Sequence, residues 1–135
     1  MKKLSRKYEI KARLSEVFHA LTSEDLIEQW SFSEAKMDLK PGGKFSLWGG
    51  DIVGVNREVS ETRLVQDWKE APWPEMSRVT FTLSEMNGIT TLELVHEGIP
   101  EASFKGISEG WDEYYLGPLK DVVEGQEWDE EFEAE

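Results

Sequence analysis

The 135-residue sequence contains no cysteine, which excludes a disulfide framework and any metal site built on thiolates. Histidine is scarce as well: with only His19 and His96, zinc sites of the common types are excluded. The sequence also lacks the signatures of nucleophile elbows, phosphate loops and dinucleotide-binding turns. We therefore expect no metal, no cofactor and no catalytic residue that a motif would reveal.

Long hydrophobic runs are missing. No segment is long enough to span a bilayer. The basic N-terminal stretch, residues 1–7, is not followed by the apolar core of a signal peptide. Together with the absence of cysteine, this predicts a cytoplasmic protein.

Positive charge is in short supply. Fifteen Lys and Arg residues face 28 Asp and Glu residues, which gives a formal net charge of -13. An acidic surface repels phosphate backbones, so we expect no nucleic-acid partner. Acidic residues without any base dominate residues 125–135, which predicts a disordered tail after a single domain at residues 1–124. Trp128 and Phe132 leave a docking segment as the alternative reading of this tail.

Short alternating segments are what the sequence does have. A half-buried first strand is predicted over residues 6–12, and two short helices follow it and end near Trp30. About six strands then alternate apolar and polar residues from position 35 to position 98. They are separated by turns such as the Asn87-Gly88 pair, a strong hairpin signal. Short turns make neighbouring strands antiparallel.

The sequence of residues 103–123 predicts one long C-terminal helix. Its apolar residues recur at three- and four-residue steps and form one stripe. Gly106, Gly110 and the Gly117-Pro118 pair are poor helix formers, so burial against the sheet must hold this helix, and Pro118 should kink or widen it. The sequence therefore predicts an α+β fold in which an antiparallel sheet of six or seven strands curls around the helix.

The inward faces of these elements carry the residues that we take as candidates for a ligand site: Trp30, Phe45, Leu47, Ile52, Leu64, Gln66, Trp68, Phe81, Leu94, His96, Trp111 and Tyr115. Two interpretations are open, because such aromatic side chains either fill a core or line an apolar cavity. Gly54 and Gly110 leave side-chain space that favours a cavity. His96 is either a satisfied residue at the end of the sheet or a polar contact in a pocket.

The order of several motifs resembles one family. The segments SEVFHALTSEDLIEQW, PGGKFSLWGGDIVG, RLVQDWKEAPWPE and GWDEYYLGPLKDVVE are similar to the AHSA1-like family, named after the activator of Hsp90 ATPase, within the START and Bet v 1-like superfamily. The resemblance covers residues 8–124 and is greatest to the C-terminal domain of the eukaryotic co-chaperone. It implies a helix-grip fold, often with a cavity between sheet and helix. The other, N-terminal domain of the co-chaperone, which in the family carries much of the chaperone binding, has no counterpart here.

Three functions follow as hypotheses. The first is a non-catalytic module that binds a small hydrophobic, lipid-like molecule between sheet and helix, as the superfamily implies. The alternative is a partner of an Hsp90-type chaperone that acts through its outer surfaces and its acidic tail. The third is a cavity enzyme of the polyketide-cyclase type, which needs shape and a few polar groups rather than a readable motif.

Overall fold

The computed structural model describes the backbone of residues 1–133 and the side chains of residues 1–125. Seven strands form one antiparallel sheet in the order β1-β7-β6-β5-β4-β3-β2. Their bounds are β1 Lys2–Ile10, β2 Lys36–Met37, β3 Lys44–Leu47, β4 Ile52–Val59, β5 Arg63–Glu70, β6 Ser77–Met86 and β7 Ile89–Ile99. The side chains of the acidic tail beyond Gly125 lie outside the described residues, so the domain boundary at residue 124 and the disorder of the tail stay predictions.

Two short helices follow the first strand, α1 at Leu14–Thr22 and α2 at Glu24–Ser31. The C-terminal rod, as we call the helical part from residue 101 onward, begins with a 3₁₀ turn at Glu101–Ser103. It continues as α3 at Phe104–Gly110, a π-helical segment at Trp111–Leu116 and α4 at Gly117–Glu133. The predicted α+β helix-grip architecture is confirmed. None of the helices in the described part of the chain combines the length and the apolar character needed to cross a bilayer.

The predicted first strand is displaced along the chain. We expected residues 6–12, whereas β1 begins at Lys2 and ends at Ile10. The reason is its partner: β7 extends to Ile99, which pairs with Lys2, so the sheet supplies hydrogen bonds to the earlier residues. The direction of the alternation is right, because Ile10 is buried at the inner face.

Polar bonds fasten the rod to the edge strand β1. The Arg6 guanidinium donates to the Asp112 carboxylate at 3.0 Å and to the Ser108 hydroxyl at 2.8 Å. The Tyr8 hydroxyl donates to the same carboxylate at 2.6 Å, and burial together with that hydrogen bond raises the pKa of Tyr8 to about 12. Further along, the Lys11 amide donates to the Glu124 carboxylate at 2.9 Å. The rod is thus held along its length.

The alternation of the central strands is confirmed. Leu64, Gln66 and Trp68 of β5 are buried at the inner face, and β6 and β7 bury Phe81 and Leu94 there. These side chains meet those of Ile107, Leu116 and Leu119 from the rod in one continuous core. The core contains most of the apolar residues of the sheet.

The π-helical segment at Trp111–Leu116 accommodates Pro118 in the rod. Proline has no amide hydrogen and crowds the carbonyl one turn earlier. The Gly117 amide donates to the Asp112 carbonyl, five residues back, and this widens the turn. A Cβ atom on Gly117 would collide with that same carbonyl oxygen. The widening that the sequence predicts at this point is therefore confirmed, and glycine is required for it.

We expect Gly117→Ala to lower the free energy of unfolding by about 1–3 kcal/mol, the usual cost of forcing an extra methyl group into a packed site. This loss outweighs the gain of about 1 kcal/mol in helix propensity that alanine brings. Gly106→Ala is the matched control, because a Cβ atom there meets open space. Urea unfolding followed by tryptophan fluorescence measures both. Equal stability of the two variants would contradict the steric role of Gly117.

Candidate functional site

An open cleft of about 630 Å³ lies between the first half of the C-terminal rod and the ends of β4 and β5. Its volume is within the range of small-molecule sites. Residues of the rod and residues at the β4–β5 end of the sheet form the two walls: Trp48, Asp51, Ile52, Trp68, Glu70, Ala102, Ser103, Gly106, Ile107, Gly110, Trp111, Tyr114 and Tyr115.

Small residues of the rod leave the space that forms the cleft. Ala102, Gly106 and Gly110 recur at four-residue steps, so they lie on one side of the helix. A methyl group on Gly106 would have no neighbouring atom within contact distance, and one on Gly110 would meet only the Tyr114 ring. The side of the rod that carries Ala102, Gly106 and Gly110 therefore leaves open space at the cleft.

Aromatic rings line the wall of the cleft beyond these small residues. The Trp68 and Trp111 rings stack with centroids 5.2 Å apart, and Trp111 and Tyr115 lie 4.5 Å apart. Trp48 lies in the turn at Trp48–Gly50. Its ring packs against the Tyr115 ring in an edge-to-face arrangement, with centroids 6.1 Å apart. Its backbone has a positive φ of 51°, an uncommon conformation for a bulky residue. This turn, which connects β3 and β4, brings to the cleft an indole that was not among the candidates from the sequence.

Two carboxylates are the charged groups among the lining residues, Asp51 and Glu70. Burial and the neighbouring Asp51 both raise the pKa of Glu70. Burial also raises the pKa of the Tyr115 hydroxyl, which stays protonated. The cleft is therefore apolar with an acidic end.

The indole of Trp68 is incompletely satisfied. Its Nε1–H is shielded from solvent and has no acceptor among the residues that the structure describes. Buried donors without a partner are rare and cost about 1–3 kcal/mol. Trp68 also lines the cleft, although its Nε1 atom is buried.

His96 lies in the core and joins the rod to the sheet. The Trp111 indole donates from Nε1 to His96 Nδ1 at 3.0 Å, so the ring proton must be on Nε2. Nε2 donates to the Ser77 hydroxyl at 2.8 Å, and this hydroxyl donates to the Trp68 carbonyl at 2.7 Å. Burial lowers the pKa of His96 to about 3. His96 is thus buried with both ring nitrogens hydrogen-bonded, and a role as a polar contact for a ligand stays a prediction.

Ser77 and His96 have the separation of a nucleophile and its base, but they cannot act as one. A base needs a free nitrogen toward the hydroxyl, and Nε2 of His96 already carries the proton that it donates. Both side chains are buried, and neither lines the cleft. The pair is a structural connection.

His96→Leu should lower the free energy of unfolding by about 1–3 kcal/mol at pH 7.5, because the Trp111 indole is left buried without an acceptor. The loss should shrink at lower pH. Folded His96 resists protonation down to a pKa of about 3, whereas the unfolded chain binds the proton near pH 6.5. Between these values the wild type loses up to about 1.4 kcal/mol per pH unit and the variant does not. Urea unfolding at pH 7.5, 6 and 5 measures the difference. A gap that is constant with pH would contradict a neutral His96.

The residues predicted from the sequence divide into two groups. Ile52, Trp68, Trp111 and Tyr115 line the cleft. The others are buried in the core away from it: Trp30, Phe45, Leu47, Leu64, Gln66, Phe81, Leu94 and His96. Gln66 donates from its amide to Asn56 at 3.0 Å, within the sheet. A role of any of the twelve in ligand binding stays a prediction.

Gly54, one of the two glycines expected to leave space for a cavity, does not leave it. The Phe45 ring occupies the position where a side chain on Gly54 would lie, so this glycine serves packing between β3 and β4. Gly110, in contrast, lines the cleft.

Eight residues of the cleft lining were not candidates from the sequence: Trp48, Asp51, Glu70, Ala102, Ser103, Gly106, Ile107 and Tyr114. Glu70 and Gly106 nevertheless carried a signal. The alternation of β5 that places Leu64, Gln66 and Trp68 inward reaches Glu70 at the next step. Gly106 lies four residues before Gly110. Trp48 had no such signal, because its direction depends on the turn. Among the described residues, no group of three or more His, Asp or Glu side chains converges to hold a metal ion.

Comparison with known proteins gives consistent results. The family model described as "Activator of Hsp90 ATPase homolog 1-like protein" matches residues 11–124. The "Activator of 90 kDa heat shock protein ATPase homolog" of Dictyostelium discoideum is 32% identical over 123 residues, 88% of this chain and 32% of that protein. Homolog 1 of Homo sapiens is 29% identical over 108 residues, 78% of this chain and 32% of that protein. The chain thus spans about a third of the length of these curated relatives.

Solved structures share the fold along nearly the whole chain. An HSP90 activator from Plasmodium falciparum superposes with a TM-score of 0.86 at 29% identity, covering 93% of this chain and 97% of that one. CalU16 from Micromonospora echinospora superposes with a TM-score of 0.79 at 32% identity, covering 91% of this chain and 74% of that one.

Proposed function

Since the chain belongs to the family of activator of Hsp90 ATPase homolog 1-like proteins, we propose that it binds an Hsp90-type chaperone and raises that chaperone's rate of ATP hydrolysis. One observation carries the proposal. The chain matches an HSP90 activator from Plasmodium falciparum over 97% of that chain's length with a TM-score of 0.86. A domain of this size is therefore described as an activator without a second domain in its structure. The proposal includes the cytoplasmic location predicted from the sequence.

Phe32 is the surface residue that we assign to the chaperone contact. It is 89% exposed and ends α2 with φ 58° and ψ 32°, a left-handed conformation that usually belongs to glycine or asparagine. Phenylalanine there gains no burial within the chain and costs about 1–2 kcal/mol in the backbone. Exposed aromatic side chains are common anchors of protein interfaces. Phe32 borders a shallow groove that also contains Glu113, Pro118, Asp121 and Val122; we call this the Phe32 surface.

We expect the wild-type chain, at saturation, to increase the ATP turnover of an Hsp90-type chaperone. Phe32→Asn should reduce this increase at least about fivefold, the effect of losing a modest interface anchor, while folded stability stays equal or rises. Steady-state phosphate release measures turnover, and urea unfolding measures stability. Met86→Asn is the matched control, because Met86 is also exposed, on the β6–β7 hairpin.

The possible results test the chaperone role and the Phe32 surface separately. No change in turnover with saturating wild-type chain would reject the chaperone role. Full stimulation by Phe32→Asn would reject the Phe32 surface alone.

A second function is favoured by the cleft itself: binding of a small hydrophobic molecule without catalysis. Its walls are mostly aromatic and apolar, and Asp51, Glu70 and Ser103 add a few polar groups to the lining. Sites of this kind combine an apolar lining with a few polar groups that fix the ligand's orientation. Trp68, Trp111 and Tyr115 are the contacts that we expect from the sequence, with Trp48 added by the structure.

We expect the neutral probe N-phenyl-1-naphthylamine to bind the cleft with an increase in its fluorescence. Gly106→Phe should weaken this binding by about tenfold or more, because the new ring occupies the open space beside Gly106. Gly106→Ala is the graded control and should bind nearly as the wild type does. Titration of each variant, with its stability checked by urea unfolding, measures the effect. Unchanged binding by a folded Gly106→Phe variant would reject the cleft as the site.

A further inference from the structure

Backbone pairing between the start of β4 and the end of β5 positions the acidic end of the cleft. Asp51 precedes β4, and Glu70 ends β5 directly opposite Ile52. The Ala71 amide donates to the Asp51 carbonyl at 3.3 Å, which fixes the two strand ends side by side. Asp51 and Glu70 therefore lie next to each other at one end of the aromatic wall, and both line the cleft.

Neither carboxylate is neutralised within the described part of the chain. Among residues 1–125, no lysine, arginine or histidine nitrogen lies within 4.0 Å of either one, and the residues that line the cleft include no basic one. Two neighbouring carboxylates repel each other when both are ionised. Burial, and then the charge of Asp51, raise the pKa of Glu70. A positive group placed between the two carboxylates would relieve this repulsion.

The rest of the lining suits an organic cation. Trp48, Trp68 and Trp111 bring three indole rings to the cleft, and Tyr115 adds a phenol. Indole faces attract ammonium and guanidinium groups, with more effect where water is excluded. The same rings also accept an uncharged apolar body. A ligand with both parts would use the aromatic wall and the acidic end at once, whereas an anion would face two carboxylates.

Resting on the ligand-binding role proposed for the cleft, we propose that this site selects organic cations: small molecules that join an ammonium-type group to an apolar body. The positive group lies at Asp51 and Glu70, and the apolar body lies against Trp68 and Trp111. The selection is a property of the site and not of the protein's overall negative charge.

Three probes of matched shape test the proposal. Phenyltrimethylammonium is a cation, tert-butylbenzene is its uncharged carbon analogue, and benzenesulfonate is an anion. We expect the cation to bind about tenfold more tightly than the uncharged analogue, and the anion not to bind measurably. Calorimetric titration gives the affinities, and the NMR signal of the Trp68 indole N–H reports occupancy of the cleft.

Two charge variants separate the site from the whole surface. Asp51→Asn combined with Glu70→Gln should abolish the preference for the cation and leave the affinity for tert-butylbenzene unchanged. Glu9→Gln combined with Glu93→Gln removes the same amount of charge from exposed positions on β1 and β7 and should keep the preference.

The results distinguish the two proposals. If tert-butylbenzene binds as tightly as the cation, or if both double variants lose the preference equally, selection by Asp51 and Glu70 is wrong while ligand binding stands. If none of the three probes binds and the Trp68 signal does not move, the cleft is not a ligand site and both proposals fail.

Discussion

The fold depends on the burial of one face of a C-terminal rod whose own sequence disfavours a helix. Gly106, Gly110, Gly117 and Pro118 each weaken it. The sheet together with α1 and α2 compensates by burying Trp111, Tyr115, Leu116 and Leu119. Each large side chain transferred from water contributes about 1.5–3 kcal/mol, more than one glycine costs. The hydrogen bond from Trp111 to His96 then fixes the rotation of the rod on the sheet. The π-helical turn before Pro118 keeps this register despite the missing amide.

The same unfavourable residues create the cleft. Long helix-forming side chains at positions 106 and 110 would extend into the space beside the end of β5. Small residues there leave the cleft open beside Trp68, Trp111 and Tyr115, which line it. Gly106 and Gly110 thus lower the helix propensity of the rod where it lines the cleft. The tertiary contacts of the rod's other face offset this cost. Departures from local preference of this kind are expected at functional sites.

The two surfaces assigned a role lie close together in the structure. Trp30 borders the groove of the Phe32 surface, and Tyr115 lines the cleft. Their rings are in contact, with centroids 4.5 Å apart. A chaperone contact at Phe32 and a ligand in the cleft would therefore share one aromatic layer, and the two proposed functions are compatible with each other.

The sequence by itself determined the architecture: the alternation of Leu64, Gln66 and Trp68, the hairpin at Asn87-Gly88 and the aromatic stripe of the rod were enough to predict a sheet curled around a terminal helix. These signals are local, because a period of two or 3.6 residues assigns each side chain to a face. Only the tertiary structure decided which inward residues line a cleft. His96 lies on the inner face of the sheet with Trp68, and Trp30 contacts Tyr115. Neither His96 nor Trp30 lines the cleft, because the space around a side chain depends on elements far away in the chain. The pairing of Asp51 with Glu70 and the direction of Trp48 likewise follow from strand register and a left-handed turn, which no periodicity encodes.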